Sequence, residues 1–259
     1  MRGTICRLAA VTAAFSFWTA PAWASPIIDG VFDRTGEWAG HFVAEDTGQE
    51  NHLGPGDGGQ LYDAEYLGLV IEGGSVYFGL QTGHQVATNT VLPAGDFAFD
   101  IGSDGTWDYA IDFLITGGTV NYSLIDMRGT SLVDYSDTVA THAWRDVRYS
   151  SNAISSPFEA IYTTGDVLAT FSGAYSDSAV DAYGQQSYVL EGMFDLSLFD
   201  ILPGQSVTMH WTMACGNDYL ETDPTQPVSE PVTMLLFGSG LMALASLRRK
   251  REKAHRSRY

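Results

Sequence analysis

Five aspartates, Asp96, Asp100, Asp104, Asp108 and Asp112, recur at every fourth position and form the densest polar stretch of the chain. A spacing of four would stack their side chains on one helix face, but the residues between them forbid a helix. Phe97, Phe99 and Ile101 alternate with other positions, as do Trp107, Tyr109, Ile111 and Phe113, and Gly102-Ser103-Asp104-Gly105 breaks the two runs apart. A period of two around a glycine-rich break predicts a hairpin of two strands. On that hairpin Asp100, Asp104 and Asp108 stand at or beside the turn, where their carboxylates can share one hard cation. Calcium, which takes about six to eight oxygen ligands in flexible geometry, is the expected ion. The spacing is not that of an EF-hand loop, and the plainer alternative is that these aspartates only keep the outer face polar.

Three other groups of residues could do chemistry. Arg145 and Arg148 flank Asp146 in a stretch that also holds Trp144 and Tyr149. Aromatic faces stack on sugars and on guanidinium groups, so Trp107, Trp144 and Tyr149 are the candidate ligand-binding aromatics. Internal ion pairing is the competing use of the arginines. His210 and Cys215 lie five apart on one strand-like run, which turns them to opposite faces and argues against a nucleophile pair. A glycosidase would need two carboxyls roughly 5 to 10 Å apart across a cleft; with 31 acidic residues in the chain, chance pairs carry little weight. No catalytic residue is assigned, and a non-enzymatic protein is expected.

These side chains need strands to position them. Ile27–Asp33 reads as a short strand followed by a turn and a second strand from Glu37-Trp38, with Trp38 a core anchor. Residues 45–60 are polar and glycine-rich, as in a long surface loop. Leu61–Glu72 and Ser75–Thr82 meet across Gly73-Gly74 as a tight hairpin. Thr119–Met127 and Ser131–Tyr135 read as a strand pair around Arg128-Gly129, with no chemistry evident there. Further strands are expected near 154–162, 167–175 and 186–195, then a helical turn over 196–202 and a last strand over 206–215. The fold class is therefore all-β, an antiparallel β-sandwich of jelly-roll or immunoglobulin-like type spanning residues 25–227.

The two ends read differently from the middle. Arg2 and Arg7 precede the apolar run Leu8–Thr19, and Ala22-Trp23-Ala24 offers a small-x-small cleavage pattern. Residues 1–24 are thus an expected signal peptide, handled by the Sec machinery and signal peptidase. At the other end, residues 228–259 combine Glu230-Pro231, an apolar run over 232–247 and a basic cluster over 248–258. Sixteen apolar residues make a helix of roughly 24 Å, short of a bilayer core of about 30 Å. Snorkelling arginines and lysines extend it, and their charge orients them to the cytoplasm, so the bulk of the chain lies outside. A single C-terminal transmembrane helix is expected. Between the ends, thirty acidic residues face only Arg34, Arg128, Arg145 and Arg148, a net charge near −26 for residues 25–230. That field repels nucleic acid and anionic lipid headgroups. With Cys6 in the signal, Cys215 stands alone and no disulfide closes within the domain.

The tail resembles the PEP-CTERM sorting signal, with Ser229-Glu230-Pro231 in place of Pro-Glu-Pro, followed by Val232-Thr233-Met234-Leu235-Leu236-Phe237-Gly238-Ser239-Gly240-Leu241 and the basic cluster. The resemblance implies that an exosortase removes the tail near Glu230 and Pro231, passing an inner-membrane intermediate to the cell surface or the extracellular matrix, where exopolysaccharide is a potential partner. Tyr62-Asp63-Ala64-Glu65, Val76-Tyr77-Phe78-Gly79-Leu80-Gln81-Thr82-Gly83 and His210-Trp211-Thr212-Met213 with Cys215-Gly216-Asn217-Asp218 resemble recurrent segments of exported proteins carrying that signal. Ile28-Asp29-Gly30 followed by Glu37-Trp38 resembles the entrance to DOMON and family-9 carbohydrate-binding modules. Taken with the aspartate turn and the aromatics above, three expectations follow, in this order: a non-enzymatic, exosortase-sorted surface or matrix protein with calcium as its candidate ion, a carbohydrate-binding module for exopolysaccharide, and last a glycosidase.

Overall fold

The computed structural model describes residues 25–44, 59–89, 91–149, 155–181 and 183–227. Within them the chain forms thirteen strands and no α-helix: β1 (Phe42–Ala44), β2 (Ala64–Glu72), β3 (Ser75–Thr82), β4 (Phe97–Ile101), β5 (Tyr109–Thr116), β6 (Thr119–Asp126), β7 (Leu132–Val133), β8 (Ala143–Arg145), β9 (Glu159–Ile161), β10 (Val167–Val180), β11 (Gln186–Asp195), β12 (Val207–Thr212) and β13 (Tyr219–Glu221). Ten of them make one antiparallel sheet in the order β1-β2-β3-β11-β10-β6-β5-β4-β12-β13, and β7-β8-β9 make a second, small sheet.

Local sequence explains the tight turns. Gly73 and Gly74 join β2 to β3 with φ of 58° and 79°, the left-handed pair that a two-residue hairpin demands and that glycine alone adopts without strain. Alternation then sends one set of side chains inward. Leu67, Leu69 and Ile71 of β2, Val76, Phe78 and Leu80 of β3, Phe97 and Phe99 of β4 and Val207, Met209 and Trp211 of β12 share a single core. Phe78 stands at its centre, with ring centroids of Phe97 and Tyr122 at 5.1 and 5.0 Å.

The large sheet folds on itself through β10. Its first half, up to Gly173, pairs with β6, and its second half, from Ala174, pairs with β11. Gly173 sits at the change of partner, where a Cβ would lie 2.1 Å from the Glu191 carbonyl oxygen and 2.5 Å from the Tyr122 ring. Only glycine allows the two halves to cross so closely. At the far side the edges approach: Asp218, in the β12–β13 turn, accepts from the Ala64 amide of β2 at 2.7 Å. The all-β, antiparallel class is as expected, but the layers are two halves of one nearly closed sheet rather than two separate sheets.

Two patches of the outer surface are covered. Residues 25–41 form no strand where strands were expected at Ile27–Asp33 and Glu37-Trp38. The Asp33 carboxylate instead accepts from the Thr35 and Gly36 amides and closes a turn, and the segment lies as a strap on β2, β3 and β11. Trp38 and Phe32 stack there at 4.9 Å, over Val70 and Val189. The second cover is the small sheet, whose Trp144 and Ala160 pack on Ala98 of β4, Ala110 of β5 and Ile125 of β6. Ser131–Tyr135 was expected to pair with Thr119–Met127. β7 runs parallel to β8 instead, because both edges of β6 are already taken by β5 and β10.

Candidate functional site

Between the small sheet and the β4–β5 turn lies a cavity of about 280 Å³, lined by Gly105, Thr106, Trp107, Thr130, Leu132, Trp144, Ser156 and Pro157. The β4–β5 turn supplies one wall and the β6–β7 link Thr130. The small sheet supplies Leu132 and Trp144, and the segment before β9 supplies Ser156 and Pro157. Trp144 is buried and donates its indole N–H to the Trp107 carbonyl at 3.1 Å, which ties the two walls together. Trp107 is half-buried, so its ring is the more available face. Three hydroxyls and two indoles around a concave space suit a ligand with both apolar and hydroxylated faces.

Behind Trp107 stands His210 of β12, its ring 5.3 Å from Trp107 on one side and 5.7 Å from Tyr219 on the other. His210 is fully buried, with the backbone of Ser155 and Pro157 beside its ring. The Glu221 carboxylate comes within 3.9 Å of Nδ1. Burial outweighs the nearby backbone of Ser155 and Pro157 and lowers the pKa to about 4, so the ring is neutral near pH 7.

The candidate cation ligands have another job. Asp100 accepts from the Asp104 amide at 3.1 Å and the Gly105 amide at 2.7 Å, Asp104 accepts from Thr106 at 3.0 Å, and Asp108 accepts from Ile101 at 2.8 Å. These carboxylates brace the turn through its backbone N–H groups, a use that sequence spacing does not reveal. Burial raises the Asp108 pKa. Among the described residues no three His, Cys, Asp or Glu side chains are grouped to hold a metal ion.

Other acidic groups work as structural joints. Asp96, beside Asp112 across the β4–β5 ladder, accepts from the Ala160 amide at 2.8 Å, while Asp112 accepts from the Tyr162 hydroxyl at 2.5 Å. Burial and then the Asp112 charge push the Asp96 pKa well above the carboxylate range. The pair links the small sheet to the large one and does not line the cavity. Under the strap, Glu191 accepts from the Trp38 indole at 2.9 Å and from the Asp29 and Gly30 amides at 3.1 and 2.8 Å. Burial raises its pKa to about 7, as it does for Asp218.

Of the three candidate ligand-binding aromatics, the structure brings Trp107 and Trp144 together and leaves Tyr149 apart, exposed, with the Arg148 guanidinium 4.8 Å over its ring. Arg145 pairs with Glu159, the internal use weighed above. Thr106, Thr130, Leu132, Ser156 and Pro157 were missed; Thr130 and Leu132 fall in a stretch that showed no chemistry in sequence. Cys215 lies in the turn after β12 and packs into the main core, whereas His210 is buried outside that core, beside Trp107 and Tyr219. Glu230, Pro231, the signal and the expected transmembrane helix lie outside the described residues; within those residues no helix is long and apolar enough to cross a membrane. In comparisons with known families, characterised proteins and solved structures, nothing matches the chain.

Proposed function

We propose that the chain is an exported, non-catalytic surface or matrix protein that holds a short stretch of extracellular polysaccharide in the cavity between Trp107 and Trp144. What supports this reading is the lining of the cavity: two indoles, the hydroxyls of Thr106, Thr130 and Ser156, and no charged side chain. Indole faces pack against the C–H faces of sugar rings, and hydroxyls exchange hydrogen bonds with theirs. The carrier is a sandwich-like antiparallel domain whose strong negative charge suits a hydrated surface.

The route outward follows from the ends of the chain. The Sec machinery and signal peptidase act on residues 1–24, the apolar run over 232–247 holds an inner-membrane intermediate, and an exosortase cuts near Glu230-Pro231. Replacing both residues by alanine is expected to trap the protein in the inner membrane; undiminished release would reject the sorting step.

Binding is tested by electrophoresis of purified protein through gels containing exopolysaccharide from the producing cells. Retarded migration that Trp107→Ala abolishes is the expected result. Equal mobility of both proteins with and without polysaccharide would overturn the saccharide reading.

A further inference from the structure

We propose that the Trp107 cavity selects an amino sugar carrying a free ammonium group over the matching N-acetylated and acidic sugars. This rests on the saccharide reading above and names the class of sugar. The cavity walls carry no charged side chain of their own, but carboxylates are fastened directly to them. Asp100 holds the Gly105 amide at 2.7 Å, Asp104 holds the Thr106 amide at 3.0 Å, and Asp146 accepts from the Ser156 hydroxyl. Asp104 is exposed and Asp146 half-buried.

The neighbouring cations are already engaged. Arg145, next to Trp144, pairs with Glu159. Arg128, two residues before Thr130, pairs with Asp126 at 2.7 Å and Asp200 at 3.1 Å. Arg148 stacks on Tyr135 and Tyr149, at 5.7 and 4.8 Å, and Arg34, on the strap, lies over Tyr66 of β2 and away from the cavity. Asp104 and Asp146 thus place two carboxylates next to wall residues of the cavity that the half-buried Trp107 ring also lines. Indole faces attract ammonium groups within about 6 Å, so the ring and the carboxylates select the same charge. A uronate would meet repulsion from both.

Isothermal titration of the full chain, purified in a nonionic detergent, tests this with three tetramers: glucosamine, N-acetylglucosamine and galacturonate. At low ionic strength the amine should bind about tenfold tighter than the N-acetylated tetramer, with no galacturonate binding, since one added charge contact is worth about one decade. At roughly 0.5 M salt the gap should narrow severalfold. Asp104→Asn should weaken amine binding severalfold and leave the N-acetylated tetramer unchanged. Asp177→Asn, an exposed site near the far end of β10, should change neither.

Equal affinity for amine and N-acetylated tetramers would overturn the charge selection while leaving the saccharide site standing. So would a preference weakened equally by Asp104→Asn and Asp177→Asn, because it would then come from the whole protein's charge. If no sugar binds, or if Trp107→Ala leaves every affinity unchanged, the saccharide reading fails and this proposal with it.

Discussion

Two covers lie on the outer surface of the folded sheet, and they fit it very differently. The strap of residues 25–41 sits on a floor cleared by glycine: a Cβ at Gly68 would lie 2.5 Å from the Trp38 ring, and one at Gly79 2.9 Å from both Trp38 and Phe32. Its indole N–H and two amides all end on Glu191. The small sheet shields β4, β5 and β6 more loosely, leaving the cavity at Trp107. A cover that only shields apolar surface is expected to pack densely and satisfy its polar groups, as the strap does. The looser fit leaves the concave space that the proposed saccharide site occupies.

The sharpest way to break this contrast is to truncate one indole on each side. Trp38→Ala empties a densely packed site and removes a donor from a buried carboxylate, so unfolding in urea should show a loss of about 3–5 kcal/mol. Trp107→Ala at the looser cover should cost about 1–2 kcal/mol while abolishing saccharide binding. Equal losses would mean that the two covers are packed alike.

Next in size is the pH response of the strap. Glu191 keeps its proton up to about pH 7 in the fold, against an ordinary value of 4.5. A raised acid stabilises the fold fully below about pH 4.5, and that contribution fades as pH rises and is gone above about 7. Stability should thus fall by about 1–3 kcal/mol across this range. Glu191→Gln should flatten the fall only in part, since Asp218 titrates alongside it. An unchanged slope in the variant would show that the carboxylate is not held as described.

Smaller effects are expected at the β4–β5 turn. Asp100→Asn takes the acceptor from one of two backbone amides and should cost about 1–3 kcal/mol in urea unfolding. Calcium should do least of all: at matched ionic strength, calcium and magnesium should shift the thermal midpoint equally, and EDTA should not lower it. A rise with calcium alone, lost in Asp104→Ala, would return a specific ion to that turn, because a ligand that binds only the native state must stabilise it.

What could be read in sequence followed local chemistry. Alternation marked the inward Phe97 and Phe99 of β4 and Tyr109 and Ile111 of β5, and Gly73-Gly74 marked its hairpin, because both depend on neighbours in the chain. Gly173 gave no such signal: its need for no side chain comes from Glu191 and Tyr122, far away in sequence. The strap misled for the same reason, since its hydrogen bonds go to one distant carboxylate rather than to a ladder. At the site, Trp107 and Trp144 were legible by residue type. Thr130, Leu132 and Ser156 were not, because only the parallel pairing of β7 with β8 and the approach of the β9 segment bring them to the indoles. The aspartates of the turn were legible as a cluster, but their partners are backbone amides, which no spacing rule reports.

The most direct test of the saccharide site reads all four tryptophans of residues 25–227 at once. Trp38 and Trp211 are fully buried, one under the strap and one in the core, whereas Trp107 and Trp144 line the cavity. In ¹⁵N-labelled protein each indole N–H gives its own NMR signal, assignable by single Trp→Phe changes. Titration with oligosaccharides from the exopolysaccharide should move the Trp107 and Trp144 signals and leave those of Trp38 and Trp211 in place. Movement at Trp38 or Trp211 alone, or at none of the four, would contradict a ligand site under the small sheet.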